Sequence, residues 1–120
     1  DPTPSFKKVM ELALWGNRAD LSLWPVTASS EPVKSQMQQC EDGNLLVDDT
    51  AAVWKHLAGC SRGANVHVVL DNAGLELIMD LVLADYFVSS GLAKQVVLHA
   101  KAQPFFVSDA MPKDIEDTLT

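Results

Sequence analysis

A chain of 120 residues that is 48% hydrophobic and 21% charged has the composition of one globular domain, not of a disordered tail. Its formal net charge of −7 argues against a nucleic-acid backbone or an anionic membrane surface as partner, since both are held by clustered Lys and Arg. Cys40 and Cys60 lack a CxxC spacing, and the longest apolar stretch, Leu75 to Val88, is broken by Glu76, Asp80 and Asp85; zinc site, disulfide framework, signal peptide and membrane span are all disfavoured, and reduced thiols in a cytoplasmic protein, with the nucleus as a further compartment, are expected.

Taken in chain order, Thr3-Pro4-Ser5 supplies a capping hydroxyl and an early proline, and Phe6, Val9, Met10, Ala13 and Leu14 follow the spacing of one buried helical stripe. Gly16-Asn17 ends that helix. Arg18 to Trp24 continues it loosely. Residues 25–47, with Pro25, Pro32 and several serines and glutamines, read as a polar surface loop. Asp48-Asp49-Thr50 starts a helix of about ten residues with Val53, Trp54 and Leu57 on its apolar face.

Val66 to Leu70 is short, β-branched and apolar apart from His67, which predicts a strand buried in a sheet. Gly74 allows a sharp turn. A helix follows over 75–89, with Leu75, Ile78, Met79, Val82, Leu83 and Tyr86 on one side, and Gly91 closes it. Gln95 to His99 is a second strand, and strand, helix, strand in about 35 residues predicts a right-handed parallel βαβ unit. Lys101 to Asp109 is a loop, and a new helix starts at Pro112. Asp1 in place of an initiator Met, and a helical pattern still running at Asp117–Thr120, are expected of a piece of something longer.

Both strands of a parallel unit point the same way, so Asp71-Asn72 and Asp109 lie at one carboxyl edge, where α/β enzymes place their chemistry. Two carboxylates and an amide carbonyl are hard oxygen donors that select Mg²⁺ or Mn²⁺ over thiolate-loving metals. The helix starting near Leu75 aims its N–H groups at the same edge and favours an anion there. Cation and helix dipole together make a phosphate site. The plainer alternative is that Asp71-Asn72 before Gly74 forms only a turn and cap, and that Glu76 only complements the helix dipole. His56, His67 and His99 show no ligand spacing, and Trp15, Trp24 and Trp54 read as core. No GxGxxG or GxxxxGK[ST] occurs, and Ala73 stands where a haloacid-dehalogenase-type site needs a second Asp.

Three separated segments, Leu14-Trp15-Gly16-Asn17-Arg18-Ala19-Asp20-Leu21-Ser22, Leu70-Asp71-Asn72-Ala73-Gly74-Leu75-Glu76-Leu77 and Lys101 to Asp109, together resemble the metal-dependent damage-control phosphatases, in the branch also described as acidic residue methyltransferase (subfamily III). The resemblance implies a three-layer α/β sandwich with a parallel βαβ core, preceded by helices, of which residues 1–120 form part of a single domain: 1–24 with the Gly-Asn motif, 25–47 the surface loop, 48–120 a helix and the metal-site core. It implies Asp71, Asn72 and Asp109 as ligands of a divalent ion (Mn²⁺, Ni²⁺, Co²⁺ or Mg²⁺), with Asp71 and Asp109 catalytic and Asp71 and Asn72 also touching the substrate. The expected activity is hydrolysis of small phosphorylated metabolites such as sugar phosphates of the fructose 1-phosphate kind. The alternatives are an S-adenosylmethionine-dependent carboxyl methyltransferase, with the cofactor on Glu76 and Asp109, and an inactive α/β fragment or interaction module. Asn17 is a candidate pocket residue. An Arg-Thr-x-Lys motif and a Gly-Asp-Leu-Asn-type loop of the family have no counterpart here, so the rest of a longer chain is expected to complete the site, and the isolated piece is expected to be inactive.

Overall fold

In the computed structural model, which describes residues 1–19, 45–60 and 63–120, the first helix begins where the sequence places it. The Thr3 hydroxyl accepts the Phe6 backbone N–H at 3.2 Å, and Pro4 occupies the first turn, where an N–H has no helical partner. Helix α1 (Pro4–Trp15) buries Phe6 completely, with Val9, Met10 and Ala13 packed into the same cluster. Leu14, expected on that stripe, is 55% exposed. At 100° per residue it sits about 80° round from Phe6, at the edge of the buried arc. A 3-10 turn over Gly16–Ala19 follows. The continuation to Trp24, nearly all of the 25–47 segment, and Cys40 lie outside the described residues; Leu46 and Val47, at its end, are exposed.

Helix α2 (Thr50–Ala58) is started by Asp48, not by the residue in the capping position, Asp49. Asp48 Oδ1 accepts the Thr50 N–H at 2.9 Å, and bonds from the Thr50 hydroxyl and N–H hold the Asp48 carboxyl below its ordinary range. Leu57 is buried, and Trp54 meets Phe6 edge-on with ring centroids 5.0 Å apart.

Strand β1 (Ala64–Val69), helix α3 (Leu75–Ser89) and strand β2 (Ala93–His99) form the expected unit, with the strands parallel and paired Val66↔Val96 and Val69↔His99. Both strands begin two residues before their predicted starts, at 64 and 93 rather than 66 and 95. The described residues thus fold as helices on a small parallel two-stranded sheet, a partial α/β fold.

Burial along β1 alternates, which corrects the expectation of a strand buried on both sides. Val66 and Val68 face the helices, while Asn65, His67 and Val69 are exposed, Val69 at 80%. On that open face His67 Nδ1 lies 2.7 Å from His99 Nε2, so two histidines that read as unrelated form a pair. The buried side of α3 also differs from the predicted one: Leu77, Met79, Leu83 and Phe87 are buried, whereas Ile78 and Val82 are more than 40% exposed. This helix is apolar on almost every side, so periodicity alone did not choose its face. Leu83 and Phe87 join the Phe6 cluster; Leu77 joins Leu70 and Ala110 in a second cluster, closed by Ile115 of helix α4 (Pro112–Leu119). Among the described residues no helix is long and apolar enough to cross a membrane.

One charged group is placed at a cost. Burial, and then Glu76 one turn before it, push the Asp80 carboxyl up to about 6. A carboxyl raised in the folded state opposes folding once it ionises, so this penalty is complete above pH 6 and vanishes as pH falls below the unfolded value near 4. In the metal-free protein Asp80→Asn is expected to stabilise by about 1 kcal/mol at pH 7.5, a figure already reduced for solvent screening of this half-buried group, and by nothing at pH 4. Thermal unfolding at the two pH values tests it, and equal effects at both would refute the assignment.

Candidate cation and phosphate site

Both strands end at one edge, and the chain there is stitched together by backbone bonds. Leu70 N–H donates to the His99 carbonyl at 3.0 Å, continuing the sheet by one bond beyond β1. The loop after β2 then folds back onto residues 71–73: Asn72 and Asp109 form an isolated antiparallel bridge, Ala110 N–H reaches the Asp71 carbonyl at 2.9 Å, and Ala73 N–H reaches the Ser108 carbonyl at 2.6 Å. Gly74, at φ 79°, then reverses the chain into α3, in a conformation that L side chains rarely adopt. Asp71, Asn72, Glu76 and Asp109 are brought into one cluster by these contacts.

Asp109 is its fixed point. Its side chain is 2% exposed; Oδ2 accepts the N–H groups of Phe105 at 2.7 Å and Phe106 at 3.0 Å, and Oδ1 accepts Lys101 Nζ at 2.8 Å. The lysine first, and then the two backbone donors, lower its carboxyl to about 2, so it is an anion throughout the physiological range. Asp71 is its exposed counterpart: the side chain is 63% accessible and Oδ1 takes the same ammonium at 2.7 Å. Asn72 is buried. Its Nδ2 donates to Asp71 Oδ2 at 3.2 Å and to Glu76 Oε2 at 3.0 Å, and its Oδ1 accepts the Ser108 hydroxyl at 2.8 Å.

Lys101, assigned no role from sequence, is therefore central. Both carboxylate oxygens contact one ammonium, so they are separated by at most 5.5 Å, the sum of the two contact distances. A divalent ion binding oxygens at about 2.0–2.6 Å spans a similar gap, so the pair fits a single hard cation, for which the ammonium is a stand-in. Among the described residues no three His, Cys, Asp or Glu side chains are placed to hold one metal ion together; the candidate ligand set is two carboxylates and one amide. For Asn72 to offer its oxygen to the ion, the amide has to turn over. The turn gives up the bonds from Nδ2 to Asp71 and Glu76, whereas the Ser108 hydroxyl, which donates to Oδ1, can accept from Nδ2 instead.

Asn17 lies exposed in the 3-10 turn, and its neighbour Gly16 explains how that motif reaches the site. A Cβ built on Gly16 would stand 2.8 Å from the Glu76 Cα, closer than such atoms approach. The turn thus rests directly on the first turn of α3, behind the Glu76 carboxylate that holds Asn72.

Two carboxylates and an amide at the carboxyl ends of parallel strands, beside a helix start, define an α/β protein with a candidate cation site at its sheet edge. Comparison with known proteins makes this specific: the model of the damage-control phosphatase ARMT1-like domain matches residues 1–120, and the chain belongs to that family. It is 41% identical over 124 residues to the Damage-control phosphatase ARMT1 of Danio rerio, covering 96% of this chain and 28% of that protein. The proteins of the same name from Mus musculus and Homo sapiens are 40% and 38% identical, each over 91% of this chain and 26% of their own length. The chain spans little more than a quarter of the relatives it matches.

Proposed function

We propose that the protein carrying this segment is a metal-dependent phosphatase of small phosphorylated metabolites, and that the segment supplies the cation-binding half of its active site. The observation that carries this reading is the convergence of Asp71 and Asp109, from two successive strand ends, on a single cationic position. Membership of a family whose relatives are named damage-control phosphatases supports it.

Asp71, Asp109 and, after its amide turns, Asn72 would hold the ion. When bound, a divalent cation polarises a phosphoryl oxygen and neutralises charge as the ester bond breaks. The chain's own residues divide the remaining work by exposure. Asp109, inaccessible and locked by two N–H donors, only positions. Asp71, open to solvent, is the carboxylate a phosphate ester can touch, either as nucleophile or as the group that orients a water. The start of α3 beside it offers N–H groups to the phosphate oxygens. Sugar phosphates of the fructose 1-phosphate kind are the proposed substrates, and Mn²⁺, Ni²⁺, Co²⁺ or Mg²⁺ the proposed ions.

The test is phosphate release by the intact protein from a panel of phosphate esters, before and after chelation. Turnover that disappears with chelator and returns with Mn²⁺ or Mg²⁺ is expected. Metal-independent turnover, or labelled methyl transfer from S-adenosylmethionine to protein carboxylates with no phosphate release, would overturn the proposal.

A further inference from the structure

The three protons of the Lys101 ammonium have three acceptors: Asp71 Oδ1 at 2.7 Å, Asp109 Oδ1 at 2.8 Å and the Asp71 carbonyl at 3.3 Å. Lysine is usually a surface charge on a flexible stem, yet here that charge is fully coordinated between two carboxylates that would otherwise repel each other. The backbone helps to fix it, because Lys101 N–H is bonded to the Ala110 carbonyl at 3.0 Å, in the strand-like return that carries Asp109.

The ammonium and a divalent ion cannot occupy the same point. An ion at bonding distance from both Oδ1 atoms would lie within about 5 Å of Nζ, close enough for the two cations to repel. With a side chain 30% exposed and four methylenes long, Lys101 has solvent to move into. We propose that Lys101 is the built-in counter-cation of this site: it holds Asp71 and Asp109 together in the metal-free protein, yields its place to the divalent ion, and then binds the anionic group of the phosphate ester beside it. This rests on the reading of the two carboxylates as ion ligands given above. It makes Lys101 a residue of the substrate-binding machinery that is released by metal loading.

Mn²⁺ binding by the intact protein, followed by electron paramagnetic resonance of the unbound ion, separates the two levels. Lys101→Met removes the competing charge and keeps most of the stem, so it is expected to bind Mn²⁺ about tenfold more tightly than the wild type, to unfold at a lower temperature without metal, and to raise KM for a phosphate ester by about tenfold or more. Asp71→Asn is expected to lose Mn²⁺ binding. Tight binding by the wild type, loss in Asp71→Asn and unchanged or weaker binding in Lys101→Met would leave the carboxylate site standing and overturn the role of the lysine. Equal Mn²⁺ binding by wild type and Asp71→Asn would overturn both. Should Lys101→Met fail to fold, the wild type serves: reductive methylation of Lys101, mapped by mass spectrometry, is expected to speed up several-fold when Mg²⁺ is added, and an unchanged rate would sink the displacement.

Discussion

Asp71→Asn is expected to lower the turnover of a phosphate ester by at least about a thousandfold, while shifting the melting temperature of the metal-free protein by no more than a few degrees. The two halves of this expectation come from the same geometry. Asp71 is the only carboxylate of the cluster that combines high exposure with a contact to the shared cationic position, so in the proposed reading its charge would serve the ion and the substrate rather than the core. The asparagine keeps the side-chain shape and an oxygen for Lys101, and the backbone bond from Ala110 to the Asp71 carbonyl does not involve the side chain. Removing half of the anionic charge that holds a divalent ion costs several kcal/mol of the electrostatic stabilisation that phosphoryl transfer needs, and every 1.4 kcal/mol is a factor of ten in rate. Asp109→Asn would lose activity too, but it disturbs a buried group bonded to two backbone N–H donors and a lysine, and so confounds stability with function. Steady-state kinetics of Asp71→Asn beside thermal unfolding is therefore the cleaner pair of measurements. Turnover within tenfold of the wild type would remove Asp71 from the reaction.

What could be read from the sequence divides along a physical line. The βαβ unit was legible because strand, glycine turn and helix each left a local signal, and α3 runs over the predicted residues, Leu75–Ser89. Strand direction placed Asp71, Asn72 and the loop after β2 at one edge, and the return of that loop onto residues 71–73 is what brings Asp109 there. Lys101 was illegible as a site residue, because a lone lysine after a strand has the same local pattern whether it meets solvent or two carboxylates; only the register Val69↔His99 brings it beside Asp71. Phe105 and Phe106 misdirect the eye for another reason. Both residues are more than 70% exposed, and what they give the site is backbone N–H, which most residues in those positions would supply. The pairing of His67 with His99 was hidden in the same way, since 32 residues separate two side chains that adjacent parallel strands place 2.7 Å apart.

Gly16 shows how a correct local reading can miss the cause. Its position after α1 suggests a helix-ending glycine chosen for a left-handed backbone, yet its φ is −54° and its ψ −38°, which any residue adopts. The glycine is required by its neighbour: an alanine methyl would sit 2.8 Å from the Glu76 Cα, a backbone atom that cannot swing aside. Gly16→Ala is therefore expected to force the 3-10 turn and the start of α3 apart by several tenths of an ångström, costing about 1–3 kcal/mol as overpacking does. The displacement falls on Glu76, whose side chain lies against Asn72, so kcat/KM is expected to fall by about 10- to 100-fold through misplacement of the proposed ligands. Gly91→Ala is the matched control. That glycine has φ 75° with nothing within 4 Å of an added methyl, so alanine there costs about 1–2 kcal/mol of strain, roughly 20 Å along α3 from the site, and should leave kcat/KM unchanged. Comparable losses of stability with activity lost only in Gly16→Ala would show that the Gly-Asn motif supports the site through the first turn of α3; equal activities in the two variants would show that the close approach serves packing alone.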